Sequence, residues 1–211
     1  MHKKFFVIGC TMSGVSSIVH NYRKLKNENR SLLKGRNKLR ALDYSVLDDS
    51  SIHKLQTKIF YEHKENILDI SKQYDSTFIF IYRQNLFEKA LAWYDHHISK
   101  ESLDPIYIKN WLNEIKIQET KVFNYIKDKV DLFTITYENV YVDSYDIMIN
   151  TLKVLNLDLD YKTAELFRYT NTKAETLDGK YNWKPELDIH RNKPGFDICY
   201  NLLCDERINF T

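Results

Sequence analysis

The sequence predicts an α/β protein of three-layer α/β/α architecture, with a mostly parallel sheet covered by helices on both faces. Three observations carry that expectation. Short apolar runs alternate with segments of helical periodicity, the first run leads into a loop bounded by glycines, and 211 residues suffice for one domain with a substantial core. Strands buried on both faces read as continuous hydrophobic runs, as these do.

Each element follows in chain order. Lys4–Ile8 reads as a buried strand, and Gly14 to about Leu33 as a helix. Leu39–Leu47 reads as a second strand, followed by Asp48-Asp49-Ser50-Ser51 as turn and N-cap chemistry. From Ile52 to about Ile70, the residues Leu55, Ile59, Ile67 and Ile70 fit helical spacing. Thr77–Tyr82 is β-branched and aromatic, the clearest central strand. Leu86 to about Ile98 reads as a helix, and Pro105 opens another that runs to about Ile126 through Ile108, Trp111, Leu112, Ile115 and Ile117. Asp131–Thr136 is a further strand. Shorter helices near Tyr145–Leu155 and Tyr161–Tyr169 precede a tail from Asn171 with little periodicity. Residues 1–157 thus supply the core sheet and helices of a single domain, and 158–211 a C-terminal helix and loop-rich tail.

Composition narrows the function classes. Thirty-one Lys and Arg against 29 Asp and Glu give a net charge of +2, too small to argue for nucleic acid or membrane. Charge is nevertheless uneven: Arg23, Lys24, Lys26, Arg30, Lys34, Arg36, Lys38 and Arg40 face one acid, Glu28. A solvated helix face explains such a run, and its place just after the glycine loop also suits an anionic ligand. Cys10, Cys199 and Cys204 are odd in number and lack metal-like spacing, so a reducing, cytoplasmic setting is expected, with no metal. No apolar run approaches the roughly 20 residues of a membrane span, and the few Pro and Gly argue against long linkers.

The chemistry concentrates in Gly9-Cys10-Thr11-Met12-Ser13-Gly14-Val15-Ser16-Ser17. Two glycines five positions apart between a strand and a helix, followed by hydroxyl residues, form the layout of a phosphate-cradling loop. Glycine permits positive φ, and bare backbone lets N–H groups converge on an anion at the helix N-terminus. A nucleoside triphosphatase carries a lysine after the second glycine. Val15 stands there, which makes a nucleotide kinase or triphosphatase the weaker expectation. In a parallel sheet, ligands gather at the carboxyl ends of the strands. The loop, Arg83 at the end of Phe78–Tyr82, and Tyr137-Glu138 after the last strand would meet there. Arg83 offers a planar fork suited to a phosphate oxygen pair, while pairing with a nearby acid such as Glu88 is its alternative.

Together these residues resemble the sulfotransferases that use 3′-phosphoadenosine 5′-phosphosulfate (PAPS). The segment Ile81-Tyr82-Arg83-Gln84-Asn85-Leu86-Phe87-Glu88-Lys89-Ala90-Leu91-Ala92-Trp93-Tyr94 looks like the 3′-phosphate element of bacterial carbohydrate sulfotransferases. Thr134–Val140 looks like their Tyr-Glu-Asp-Leu strand end. The resemblance spans roughly Lys3 to Leu157. It implies a P-loop-containing fold and transfer of a sulfuryl group to a hydroxyl of a carbohydrate or small metabolite. The donor would be held by Thr11, Met12, Ser13, Gly14, Val15, Ser16 and Ser17 at its 5′-phosphosulfate and by Arg83 at its 3′-phosphate. Arg191 and Lys193, in a basic glycine-containing stretch like the loop relatives fold over that phosphate, are further donor contacts. No metal is required, because a sulfuryl group carries less charge than a terminal phosphoryl group.

Two positions depart from the pattern. Met12 stands where relatives carry Lys or Arg, and Leu91 and Ala92 stand where a serine partners the arginine. Loss of one placed donor costs ~10²–10³ in rate, so a catalytically impaired relative that binds a nucleotide or a partner is the alternative. A basic side chain from the Arg23–Arg40 run or the tail would offset it. The acceptor hydroxyl needs a base, for which His63 comes first and Asp43 second, with His53 on the same expected helix as His63.

Overall fold

The computed structural model describes residues 3–28, 51–56, 65–98, 101–169 and 190–210. Four strands form one sheet: β1 (Lys4–Gly9), β2 (Ile52–Gln56), β3 (Ser76–Tyr82) and β4 (Leu132–Thr136). Their order is β2-β1-β3-β4, and every pairing is parallel. The described helices are α1 (Val15–Leu25), α2 (Glu65–Gln73), α3 (Leu86–His97), α4 (Pro105–Ile126), α5 (Tyr137–Tyr141), α6 (Tyr145–Leu152), α7 (Tyr161–Tyr169) and α8 (Phe196–Leu203). The chain is therefore an α/β protein built on a parallel sheet.

The apolar runs are continuous because both faces of the sheet are covered. Phe6, Ile8, Phe78, Phe80 and Tyr82 point into one core with residues of α2, α3, α4 and α8. Phe5, Val7, Ile79, Ile81 and Ile135 point into a second core with α1, α6 and α7. Helix α1 buries Val15, Ile18, Val19 and Tyr22, the i, i+3, i+4, i+7 stripe of an amphipathic helix. Asp104 caps α4 through the amides of Ile106 and Tyr107, with Pro105 at the first helical position, where its missing N–H costs nothing.

Three expectations are corrected. Ile52–Gln56 is a strand paired in parallel with β1, and the helix starts only at Glu65. Ile52 enters one core and Leu55 the other, so their three-residue spacing reflects a strand buried on both faces, with odd and even positions facing opposite ways. His53 is accordingly a strand residue, buried and stacked on Phe6 with ring centroids 5.3 Å apart. Ser51 caps no helix. Its hydroxyl and amide bond to Glu28, and its hydroxyl also bonds to Tyr22. Helix α1 ends at Leu25, short of the expected Leu33, and the expected strand Leu39–Leu47 lies outside the described residues. The late chain is also more ordered than its composition implies: Phe196, Cys199, Leu203, Ile208 and Phe210 complete the first core.

His190 anchors that last segment and is fully buried. Burial, and next the nearby Lys193 ammonium, push its imidazole down to about 4, against a smaller opposing pull from Asp95. Between roughly pH 6.5 and 4 the unfolded chain therefore binds a proton that the folded chain refuses. Stability from this group is full above about pH 6.5, declines as pH falls toward 4 and levels off below. Denaturant unfolding at pH 7.5, 5.5 and 4 should show this loss, amounting to at most about 3 kcal/mol. His190→Leu should remove that component of the slope; an unchanged slope in the variant would refute the assignment. Among the described residues, no helix is long and apolar enough to cross a membrane.

Candidate functional site

The loop after β1 is shaped by its two glycines. A Cβ at Gly9 would lie 2.4 Å from the Ile81 carbonyl oxygen, so only glycine lets β1 end this close to β3. The chain then turns through Met12 at φ 60°, with the Ser13 amide donating to the Cys10 carbonyl at 3.2 Å. Gly14 has φ 85°, and a Cβ there would press on the rings of Tyr141 and Tyr137 at 3.0 and 3.1 Å. A side chain at this position is opposed by both backbone strain and lack of space.

Helix α1 starts immediately afterwards, with no side chain capping it. Asn85, Asp104, Thr136 and Ser144, by contrast, each accept a first-turn amide of α3, α4, α5 and α6. The opening amides of a helix are orphan donors at the positive end of its dipole, and an anion satisfies both features.

The wall beside Gly14 is aromatic. Tyr137 and Tyr141, one helical turn apart on α5, lie with ring centroids 4.8 Å apart. Burial drives the Tyr141 phenol far above its ordinary range, partly offset by the Ser17 hydroxyl. Arg83, directly after β3, lays its guanidinium over the Tyr137 ring at 4.5 Å and is only 3% exposed. Its Nη2 donates to Glu88 Oε2 at 2.8 Å, so the alternative partner anticipated from sequence is in place. The Nε of the same guanidinium is buried and has no acceptor among the described residues. Glu138 accepts the amides of Gln84 and Asn85, each at 3.0 Å, one on each carboxylate oxygen. The Tyr-Glu pair therefore acts locally, with Tyr137 supporting Arg83 and Glu138 fixing the backbone that follows it.

Two lysines approach the loop that sequence reasoning did not single out. Lys54 reaches from β2 to donate to Ser16 Oγ at 2.5 Å, in the first turn of α1. Lys89, on α3, is fully buried with its Nζ 2.5 Å from Glu119 Oε1 on α4. The Ser13 hydroxyl lies 3.5 Å from that same oxygen, a long contact. A buried ion pair thus sits beneath the loop and touches one of its residues. Glu119 did leave a signal, because it interrupts the buried stripe Ile108, Leu112, Ile115, Val122, Ile126 at a position that continues it. Arg23, from the basic run, is committed elsewhere, donating to the Ile52 carbonyl at 2.7 Å.

The expected site residues divide accordingly. Thr11 and Ser16 are exposed on the loop, and Met12, Gly14 and Ser17 are half-buried. Ser13 is wholly buried against Glu119, so its hydroxyl is no solvent-facing donor. Val15 belongs to the second core, which accounts for an apolar side chain where a lysine was considered. Arg83 stands beside the loop. Lys193 pairs with Asp95 at 3.1 Å, near the far end of α3, about 14 Å along the helix from its start at a rise of ~1.5 Å per residue. Arg191 is exposed on the same turn. The structure does not bring these two together with Arg83. His63 and Asp43 lie outside the described residues.

Among the described residues no group of three or more His, Cys, Asp or Glu side chains is placed to hold a metal ion. No family model and no curated protein matches the chain.

Proposed function

We propose that the protein is a PAPS-dependent sulfotransferase, acting on a hydroxyl of a carbohydrate or small metabolite, with a P-loop-containing three-layer α/β/α fold. One observation carries the reading. The glycine loop before α1, a helix start that no side chain caps, and a buried arginine both lie against one ring, Tyr137: a Cβ at Gly14 would come within 3.1 Å of it, and the Arg83 guanidinium lies over it at 4.5 Å. Two separated anion-binding groups at one sheet edge suit a donor that carries separate phosphates on its 3′ and 5′ positions.

In this reading the amides of Gly14 to Ser17 and the hydroxyls of Ser16 and Ser17 hold the 5′-phosphosulfate. Lys54, already at Ser16, brings the ammonium that neither Met12 nor Val15 provides. Arg83 holds the 3′-phosphate. The acceptor oxygen attacks sulfur, the bond from sulfur to the bridging phosphate oxygen breaks, and the leaving group is adenosine 3′,5′-bisphosphate. The acceptor proton passes to a base, for which His63 and Asp43 are the candidates. Donors fixed before the reaction stabilise the charge that develops on the bridging oxygen.

The reading is tested by calorimetric titration of the protein with adenosine 3′,5′-bisphosphate and with AMP. It expects at least tenfold tighter binding of the bisphosphate. Equal affinities, or no binding of either, would remove the donor assignment. Met12 favours a second reading, an impaired relative that binds the nucleotide without transferring sulfur. Bisphosphate binding with no release of sulfate or sulfated product from PAPS would select it.

A further inference from the structure

Arg83 is a buried arginine with one of its donors unmatched among the described residues. With 3% of its surface exposed it is all but removed from water, and a buried guanidinium without a counter-charge is costly. Glu88 supplies the charge, yet imperfectly. It takes one donor, Nη2, at 2.8 Å, and leaves Nε buried without an acceptor among the described residues. A guanidinium and a tetrahedral oxyanion ordinarily meet through two parallel hydrogen bonds. The carboxylate gives one such bond where a phosphate spanning Nη2 and Nε would give two.

The two partners also differ in freedom. Arg83 is held in place by the Tyr137 ring at 4.5 Å, and the backbone after it is pinned by both oxygens of Glu138. Glu88 sits in the first turn of α3 with 21% of its side chain exposed, held otherwise by the Asn85 side-chain amide at 3.0 Å. The arginine is fixed, and the carboxylate has a route to water.

We propose that Glu88 is an internal stand-in for the ligand phosphate on Arg83, displaced toward solvent when that phosphate binds. The proposal rests on the reading of Arg83 as the 3′-phosphate contact and adds to it a residue that sets affinity and selectivity. Glu88 spares the empty site a buried lone cation. It also makes the arginine selective, because only an anion able to use both guanidinium edges offsets the loss of the carboxylate. A nucleotide with no 3′-phosphate leaves the Glu88 contact in place.

Glu88→Gln tests this. The amide preserves the shape of the side chain and its contact with Asn85 but removes the competing charge. Calorimetry with adenosine 3′,5′-bisphosphate should show affinity about tenfold or more above wild type, while AMP binds as before. Glu88→Asp, too short to keep the 2.8 Å contact, should shift affinity in the same direction by less, and it carries the test if the glutamine variant does not fold. A folded variant that binds the bisphosphate equally or more weakly than wild type would overturn the proposal, and so would an equal gain for AMP. If neither wild type nor variant binds the bisphosphate, the role of Arg83 itself falls, and this proposal with it.

Discussion

Replacing Glu119 with glutamine is expected to lower stability by about 3–5 kcal/mol, the range for breaking a buried ion pair by removing one partner. Lys89 and Glu119 are both 0% exposed, so the ammonium left behind can reach no water without disrupting the packing of α3 on α4. Charge, not shape, is what the substitution removes. For a chain of this size the midpoint of thermal unfolding should fall by about 10 °C. The double variant Lys89→Met with Glu119→Leu should recover most of that loss, because replacing both members of a buried pair with apolar groups is often neutral or stabilising. Calorimetric melting of the three proteins decides it. If the single variant matched wild type, the pair would not be a buried counter-charge at all. Because Ser13 touches the same carboxylate oxygen, the single variant should also loosen the loop and weaken nucleotide binding.

Arg83→Gln is expected to weaken adenosine 3′,5′-bisphosphate binding by about 30-fold or more while leaving AMP nearly unaffected. Truncating one partner of a buried hydrogen-bonded charge pair costs ~2–5 kcal/mol, and each ~1.4 kcal/mol is tenfold in affinity. The effect on folding should be far smaller than that of Glu119→Gln. Glu88, the partner left behind, is partly exposed and can turn to solvent. Parallel titrations of wild type and variant with both nucleotides supply the check. Equal losses for the two nucleotides would mean that Arg83 supports the loop generally and does not read one phosphate.

Much of the scaffold was legible because burial and periodicity point the same way in it. Phe5–Ile8 and Thr77–Tyr82 are buried at every position, and only a strand covered on both faces requires that. Pro105 marked the start of α4, where a proline's missing N–H costs nothing. Ile52–Gln56 failed for a physical reason: a five-residue strand with Ile52 and Leu55 in different cores shows the spacing of a helix face. Helix α8 was hidden because Ile198, Tyr200 and Leu202 are exposed, so apolar residues surround the helix and no stripe stands out.

At the site, legibility followed sequence distance. The loop and Arg83 announce themselves locally, one by glycine spacing and the other by a charge at the end of an apolar strand. Lys54 and Ser16 are 38 residues apart, and Lys89 and Glu119 are 30 apart. Such contacts are set by packing: periodicity marks Glu119 as a buried position but does not name its partner, and nothing local marks the Lys54 contact. The Glu88 contact shows how far a motif alone carries. Both possible partners of Arg83, a ligand phosphate and a nearby acid, could be named from sequence. Only the geometry showed that the acid leaves Nε unmet.

The most direct test is a structure of the protein crystallised with adenosine 3′,5′-bisphosphate. The 5′-phosphate should accept from the amides of Gly14 to Ser17 and the 3′-phosphate should span Nη2 and Nε of Arg83, with Glu88 turned outward. A bisphosphate bound away from this edge, or bound there with its 3′-phosphate in water and Glu88 still on Arg83, would contradict it.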